Sequence, residues 1–507
     1  MLTEIKQMDY EFKTQPYEHQ DECFALSRAR HSFAYLMEMG TGKTKVTIDV
    51  SAWLWSQGEI NFMIVSAPND VQRNWIEREI PPHLPDWVPR RTCVWSSKMK
   101  KSDWEDYWSL FDPDFIGLRI LAVNHDAFSA GEAYWKTASK LKNKPRWGKA
   151  IESILNTFDV LFVVDESSKI KTPGARRSQR IVNLGRKAKY TRILTGTLGD
   201  PLETFMQFSF LDPTILQGHP PMNYFSYKNK YASWKTERNH KTGRNYQVCT
   251  GYRRIEDLNS KINAHSFRVL KKDCLDLPDK VYKRRPLQFS EEQRRLYSKV
   301  RDQSIMELRQ EDTTIANVLV KYLRLQQIMG GWLPNPEPDM PAEPLFESPD
   351  QNPRIKAMLD VIEENPGQQV IIWARFRAEI EAISDILNSI YPDQAVKFYG
   401  STSKEDRADA IDGFQSGNYR FFVANQHSGG YGLTLTAATL VIYYSNDFSL
   451  EARLQSEDRC HRIGQTNKVL YVDLEVSDSL DKRILTALKD KKKLADTVVG
   501  DDPSDWF

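Results

Sequence analysis

Short apolar runs, each followed by a stretch of helical periodicity, constrain this chain more than any other feature. Phe33–Met37, Phe62–Val65, Ile120–Val123, Val160–Val164 and Arg192–Leu194 are too short for helices and largely apolar along their length. Such runs are read as buried parallel strands, because a parallel sheet covered on both faces has no wet side to alternate with. The rhythm returns at Val370–Trp373, Phe421–Ala424 and Leu440–Tyr444, with Ile380, Ile383, Leu387 and Ile390 at helical spacing between them. The sequence therefore predicts an α/β fold of two lobes, each a parallel sheet with helices on both faces.

The stretch between the lobes reads differently. From Phe205 to Met329 it is charged and helix-like with few strand signals, apart from a hairpin turn at Lys241-Thr242-Gly243-Arg244 inside Glu237–Val248. Glu291–Met329 reads as long amphipathic helix. Pro334, Pro336, Pro338, Pro341, Pro344, Pro349 and Pro353 then crowd one segment, which predicts a loop. The expected division is 1–205 for the first lobe, 206–333 for helical insertions and the lobe connection, 334–353 for the proline-rich loop, 354–480 for the second lobe, and 481–507 for a basic helix with an acidic tail.

Charge and composition exclude several classes. Of 507 residues, 70 are basic and 68 acidic, a net charge of +2, which rules out a nucleic-acid-coating protein and an acidic disordered chain. Nucleic-acid binding would have to come from a local patch. Candidates are Lys171, Arg176, Arg177 and Arg180, then Arg186, Lys187 and Lys189, and Lys140–Arg146; for any single cluster a solvated face is the favoured reading. Five cysteines stand far apart with no CxxC pair, and the histidines show no metal-binding spacing. No apolar run approaches a membrane span, and the N-terminus lacks the apolar core of a signal peptide. A reducing cytosol is expected.

Three segments carry chemistry. Met37-Glu-Met-Gly-Thr-Gly-Lys-Thr44 follows a strand and precedes a helix, the context of a phosphate-binding loop. Gly40 and Gly42, with Thr41 between them, let the backbone curl its N–H groups toward phosphate; Lys43 supplies charge and Thr44 a hydroxyl for Mg²⁺. Val160-Leu-Phe-Val-Val-Asp-Glu166 ends a strand on two carboxylates, where open α/β sheets bind ligands. Asp165 is expected to hold Mg²⁺ and Glu166 to polarise the attacking water. In Gln455-Ser-Glu-Asp-Arg-Cys-His-Arg-Ile-Gly-Gln465, Arg459 and Arg462 are three apart, on one face if the segment is helix, and suit arginine fingers.

On these motifs the chain resembles the SNF2 family of helicase superfamily 2. MEMGTGKT is similar to that family's DEMGxGKT. Tyr17-Glu-His-Gln20 resembles the upstream element whose glutamine reads adenine, and Ser66-Ala-Pro68 through Trp75 the motif after the next strand. Leu194-Thr-Gly-Thr197 matches the LTGT coupling motif. Gly429-Gly-Tyr-Gly432 through Thr436-Ala-Ala438 resembles the GGxGxxLTAA element, and DRCHRIGQ the family's DRxHRxGQ. Gly251–Lys280, with Arg268, Lys271, Lys272, Asp273 and Leu277-Pro278, resembles the segment joining the lobes. Ser168 departs from the pattern, standing where relatives carry His, as do Leu198-Gly-Asp200-Pro201 and Asn425–Gly430.

The resemblance implies two RecA-like lobes with helical insertions, an ATP hydrolase using Mg²⁺, and DNA as partner. It assigns nucleotide contacts to Gln20, Gly40–Thr44, Gly432 and Gln455. Catalytic roles fall to Lys43, Asp165, Glu166, Arg459 and Arg462. Coupling to DNA falls to Thr195, Gly196, Thr197, Ser168, Lys171 and Thr436. The chain is similar to compact bacterial or phage members and, in its middle region, to annealing and fork-remodelling relatives. Translocation on duplex DNA with remodelling of branches or displacement of bound proteins is the expected activity. An ATP-switched clamp that recruits partners and a strand-separating helicase stay open beside it. The tail Asp501-Asp-Pro-Ser-Asp-Trp-Phe507 reads as a frayed terminus or as an acidic, aromatic-tipped docking peptide.

Overall fold

The computed structural model describes residues 10–69, 71–96, 99–129, 147–238, 245–310, 315–333, 343–400, 402–427 and 433–499. They form two compact units. The first is built mainly from the chain up to Glu237 and from Gln247–Asp276, the second mainly from Leu277–Lys492. The middle stretch is thus divided between the two.

The first unit carries β1 (Ser32–Met37), β2 (Phe62–Ala67), β3 (Arg90–Val94), β4 (Leu118–Asn124), β5 (Val160–Asp165) and β6 (Tyr190–Leu194). Further along come β7 (Ala232–Arg238) and β8 (Asn245–Tyr252), which pair as a two-stranded sheet, and β9 (Ser266–Val269). The main sheet runs β3-β4-β2-β5-β6-β1-β9, with every pairing parallel. Its strands split residue by residue between two cores. Ala34, Leu36, Phe162 and Val164 pack on one face; Phe33, Tyr35, Leu161 and Val163 pack on the other. Helices therefore cover both faces, and each buried apolar side chain contributes about 1.5–3 kcal/mol.

The second unit repeats the plan. It contains β10 (Lys280–Leu287), the short pair β11 (Trp332–Leu333) and β12 (Glu343–Pro344), then β13 (Val370–Trp373), β14 (Ala395–Phe398), β15 (Phe421–Ala424), β16 (Leu440–Tyr443) and β17 (Val469–Val476). Its main sheet runs β10-β17-β16-β13-β15-β14, again all parallel. Val370 and Ile372 face one core, Ile371 and Trp373 the other.

Several elements differ from the sequence expectation. The middle stretch holds strands as well as helices: β9 closes one edge of the first sheet and β10 one edge of the second. The run KVYKRRPL of β10 is mostly exposed, so it lacks the apolar signature of a buried strand. Glu291–Met329 is two helices, Glu291–Gln310 and Ile315–Gly330. With the C-terminal helix Leu480–Val499 they enclose Tyr297, Leu325, Ile328, Leu480, Ile484 and Leu488. In the proline-rich segment Pro344 lies in β12, and Pro353 starts the helix Pro353–Glu363, where a missing N–H costs nothing. Pro334, Pro336, Pro338 and Pro341 lie outside the described residues. So do Lys140–Arg146, the turn Lys241–Arg244, Gly429–Gly432 and the tail Asp501–Phe507.

Candidate active site

Parallel strands point their carboxyl ends the same way, and the chemistry-bearing loops of the first unit leave β1, β2, β5 and β6 at that end. After β1 the chain turns through Gly40 (φ +82°) and Gly42 (φ +96°), a left-handed conformation that glycine adopts without strain. Gly42 is needed for space as well. A Cβ there would sit 2.1 Å from Gln20 Nε2. Gln20 Nε2 donates to the Thr41 carbonyl at 3.0 Å, and His19 Nε2 lies 2.8 Å from the same oxygen. Gln20 is thereby fixed against the loop rather than left free.

The Lys43 ammonium donates to the carbonyls of Met37 (2.8 Å) and Glu38 (3.2 Å). It lies inside the curl of the loop, at the start of the helix Lys43–Ser56. Thr44 is half-buried in the first turn of that helix. A curl that admits no Cβ, an ammonium within it and backbone N–H groups at a helix start fit a triphosphate. On the opposite side of this helix Asp49 is buried with Lys45 (2.7 Å) and the Tyr10 hydroxyl (3.2 Å). Burial lifts its carboxyl to about 6 against the pull of Lys45.

Asp165 ends β5 and is buried. Its Oδ2 accepts from Trp75 Nε1 at 2.9 Å and its Oδ1 from the Glu166 N–H at 2.9 Å. Burial raises its pKa, opposed by the Trp75 bond and the charge of Lys43. The carboxylate of Asp165 and the hydroxyl of Thr44 are hard oxygen donors, and they fit Mg²⁺ bound jointly with substrate oxygens and water. Glu166 adopts φ +50°, a strained left-handed turn directly after the strand.

Sequence reasoning missed two groups here. Trp75 is fully buried but spends its N–H on Asp165, at the head of a π-helical turn (Trp75–Glu79). His125, just past β4, lies 2.7 Å from Ser66 Oγ and 2.9 Å from the Asp165 carbonyl. Burial and the charge of Arg177 push its pKa down to about 3, so the ring is neutral. Its signal was positional: a histidine directly after the carboxyl end of a central strand.

The loop after β6 comes close to the phosphate loop. Thr195 N–H bonds the Tyr35 carbonyl at 3.1 Å, and its hydroxyl donates to the Thr197 carbonyl at 2.6 Å. A Cβ on Gly196 would lie 3.5 Å from the Met39 nitrogen and 3.7 Å from Glu38 Cα. Ser168 is buried, and its hydroxyl has no hydrogen-bond partner among the described residues. Four of the basic side chains weighed as DNA contacts are engaged within the fold: Lys171 with Glu203 (2.7 Å), Arg177 with Asp126 (2.8 Å), Lys187 with Glu152 (3.3 Å) and Lys189 with Glu59 (3.0 Å). Such partly exposed pairs are worth about 0–1 kcal/mol and yield readily to a phosphate.

In the second unit Arg459 and Arg462 do not share a helical face. The helix Leu450–Glu457 ends before them, and both lie in the turns that follow. Gln455 remains on the helix, with Nε2 3.2 Å from Glu451 Oε1. Arg459 is buried, whereas Arg462 is half-buried with Nη1 3.3 Å from the Leu433 carbonyl. Gln465 Nε2 reaches the carbonyls of Thr436 (3.0 Å), Ala438 (3.0 Å) and Cys460 (3.2 Å), so it pins the Thr436 loop to the arginine turns. Gly432 lies outside the described residues.

A buried ionic cluster anchors the same turns. Arg453 pairs with Asp473 and with Glu457 (2.8 Å), its guanidinium 3.4 Å from the Tyr443 ring centroid. Glu457 also accepts from Tyr282 (2.7 Å) and Lys280 (3.2 Å) of β10. Asp473 and Glu475 interrupt the apolar run of β17, which hid that strand from the sequence reading. Among the described residues no group of three or more His, Cys, Asp or Glu forms a metal cluster, and no helix is long and apolar enough to cross a membrane.

Comparison with known proteins shows which family the chain resembles. The family described as SNF2-related domain matches residues 24–331, and the helicase conserved C-terminal domain matches residues 353–464. The chain is 26% identical to the CHD3-type chromatin-remodeling factor CHR7 of Arabidopsis thaliana, over 91% of this chain and 35% of that protein. It is 24% identical to the ISWI chromatin-remodeling complex ATPase ISW1 of Saccharomyces cerevisiae, over 96% of this chain and 40% of that one. The chain therefore spans well under half the length of these relatives. Among solved structures, the Sulfolobus solfataricus SWI2/SNF2 ATPase core in complex with dsDNA aligns with a TM-score of 0.40 at 24% identity, covering 97% of this chain and 95% of that one.

Proposed function

Since the chain belongs to the SNF2-related family, we propose that it is a DNA-dependent ATPase that moves on duplex DNA. It would remodel branched DNA or displace bound proteins. One observation carries the reading: the phosphate loop, the Asp165–Glu166 turn and the Thr195–Thr197 loop leave adjacent strands β1, β5 and β6 at one end of one sheet. Lys43 and the loop N–H groups bind the triphosphate. Thr44 and Asp165 would hold Mg²⁺, which would supply positive charge against the triphosphate. Glu166 orients water for attack on the γ-phosphorus.

Arg459 and Arg462 supply positive charge to the γ-phosphate, with Arg462 the more exposed of the pair. Loss of the γ-phosphate releases those contacts, and alternation between the two states changes the grip on a phosphate backbone. The Thr195–Thr197 loop, whose Gly196 lies close to Met39 and Glu38, is the group best situated to sense the nucleotide and pass its state to DNA.

The test is ATP turnover on single-stranded, duplex, forked and four-way DNA, paired with a triplex-displacement assay. Turnover that rises severalfold with duplex or forked DNA, together with displacement, supports the proposal; turnover indifferent to DNA sinks it. The unpartnered Ser168 hydroxyl, where relatives carry His, favours a second reading, an ATP-switched clamp. Stimulated turnover without displacement would select the clamp. The Asp501–Phe507 tail is proposed as a docking peptide, and its deletion should remove a pull-down partner. The five free cysteines fit the reducing cytosol of a bacterium or phage-infected cell.

A further inference from the structure

The segment that leaves the first unit and enters the second is fastened near both ends, and each fastening touches a nucleotide-handling loop. At its start, Glu38 of the phosphate loop makes two bonds to it. The Glu38 N–H donates to the Val269 carbonyl at 3.0 Å, and the Glu38 carboxylate accepts the Lys271 N–H at 2.7 Å, at the head of the turn Lys271–Cys274. Seven residues later, the Pro278 carbonyl lies 2.7 Å from His461 Nε2. A carbonyl only accepts, so His461 carries its proton on Nε2 and donates. His461 stands between Arg459 and Arg462 in the chain.

Glu38 is also where the phosphate loop registers its own state. Its carbonyl accepts from the Lys43 ammonium (3.2 Å), the Thr41 hydroxyl (2.7 Å) and the Thr41 N–H (3.3 Å). Phosphate oxygens compete for the Lys43 donors, because a charge-assisted bond to an anion is roughly twice as strong as one to a neutral carbonyl. Drawing the ammonium away changes the load on the Glu38 peptide, whose carboxylate holds the connecting segment.

We propose that Lys271–Pro278 is a short covalent strut that carries nucleotide occupancy from the phosphate loop to the arginine turns, with Glu38 and His461 as its positioning residues. This rests on the ATP-binding reading above. Neither residue touches substrate in this scheme; each acts through the strut. The role is separable from a merely structural one. Loss of a structural contact would lower the melting temperature and all turnover rates together. Loss of the strut uncouples the segment from the nucleotide.

The experiment is hydrogen exchange on the full chain, with and without ATP and Mg²⁺, read on peptides covering the phosphate loop and residues 269–280. In the wild type both peptides respond. In Glu38→Ala the phosphate loop still responds, but the strut exchanges about tenfold faster in either state and no longer senses nucleotide. Glu38→Gln, which keeps an acceptor oxygen, restores most of the response. The ratio of turnover with duplex DNA to turnover without it should fall toward one in Glu38→Ala and in His461→Ala, and recover in Glu38→Gln. A wild-type strut indifferent to nucleotide while the phosphate loop responds overturns the proposal and leaves the ATP site standing. The same holds if Glu38→Ala responds as the wild type does. A phosphate loop that does not respond at all removes both.

Discussion

Lys43 shows how much depends on single side chains in this protein. It is the one cation inside the curl of the phosphate loop among the described residues, held by two carbonyls. Lys43→Ala should weaken ATP binding by about ten- to a hundredfold, the worth of a hydrogen bond to a charged group, measured by nucleotide titration. Glu166→Gln should keep binding and lose turnover by at least about a hundredfold, because only the water-orienting carboxylate is altered. Arg462→Ala should cost about a thousandfold or more in turnover, as expected for an arginine finger; retained turnover would remove that role from Arg462. Asp49 gives a test in pH. The folded chain keeps a proton on Asp49 up to about pH 6, whereas the unfolded chain releases it near the usual 3.8. Its contribution to stability is therefore complete below the lower value and is lost as pH rises to the upper one, by about 3 kcal/mol. In Asp49→Asn that slope should be absent from chemical denaturation curves taken across the window.

Elements differed in how readily the sequence revealed them, and burial explains the difference. β1, β2, β5, β13, β15 and β16 are largely apolar on both faces, so each announces itself as a run. β3, β9, β10 and β14 lie at or next to sheet edges, where one side is wet and the run is broken. The phosphate loop was legible because glycine is forced at fixed places. The bond of Trp75 to Asp165 was not, since no local pattern tells a core tryptophan from one whose N–H has a task. Gly42 tests the element directly. Gly42→Ala meets Gln20 Nε2 and places a Cβ at φ +96°. Nucleotide binding should weaken by about tenfold from the backbone strain alone, about 1–2 kcal/mol, with further loss from the clash. Adding Gln20→Ala should relieve only the clash. Full recovery in the double variant would mean that the left-handed turn is dispensable.

At the scale of the whole molecule the near-balance of charge bears on the proposed hold on DNA. A net charge of +2 gives no general attraction, so under that proposal binding would come from local groups such as Lys171, Arg177 and Lys187, each now paired with a carboxylate. DNA-stimulated turnover should fall steeply with added salt, since each phosphate contact releases counterions, whereas DNA-free turnover should change little. A flat salt response of the stimulated rate would exclude a backbone-tracking mode. The two-lobe plan followed from the repeated rhythm of apolar runs, but the joint between the lobes did not, because its charged residues look like surface. In the structure that joint gives one edge strand to each sheet, β9 to the first and β10 to the second. A tether that is woven into both fabrics cannot act as a slack leash. Only the short run between Val269 and Lys280 lies outside the two sheets, and Leu277-Pro278 restricts even that. Under the proposed coupling, lengthening that run by a few glycines should let ATP turn over while the work done per molecule consumed declines.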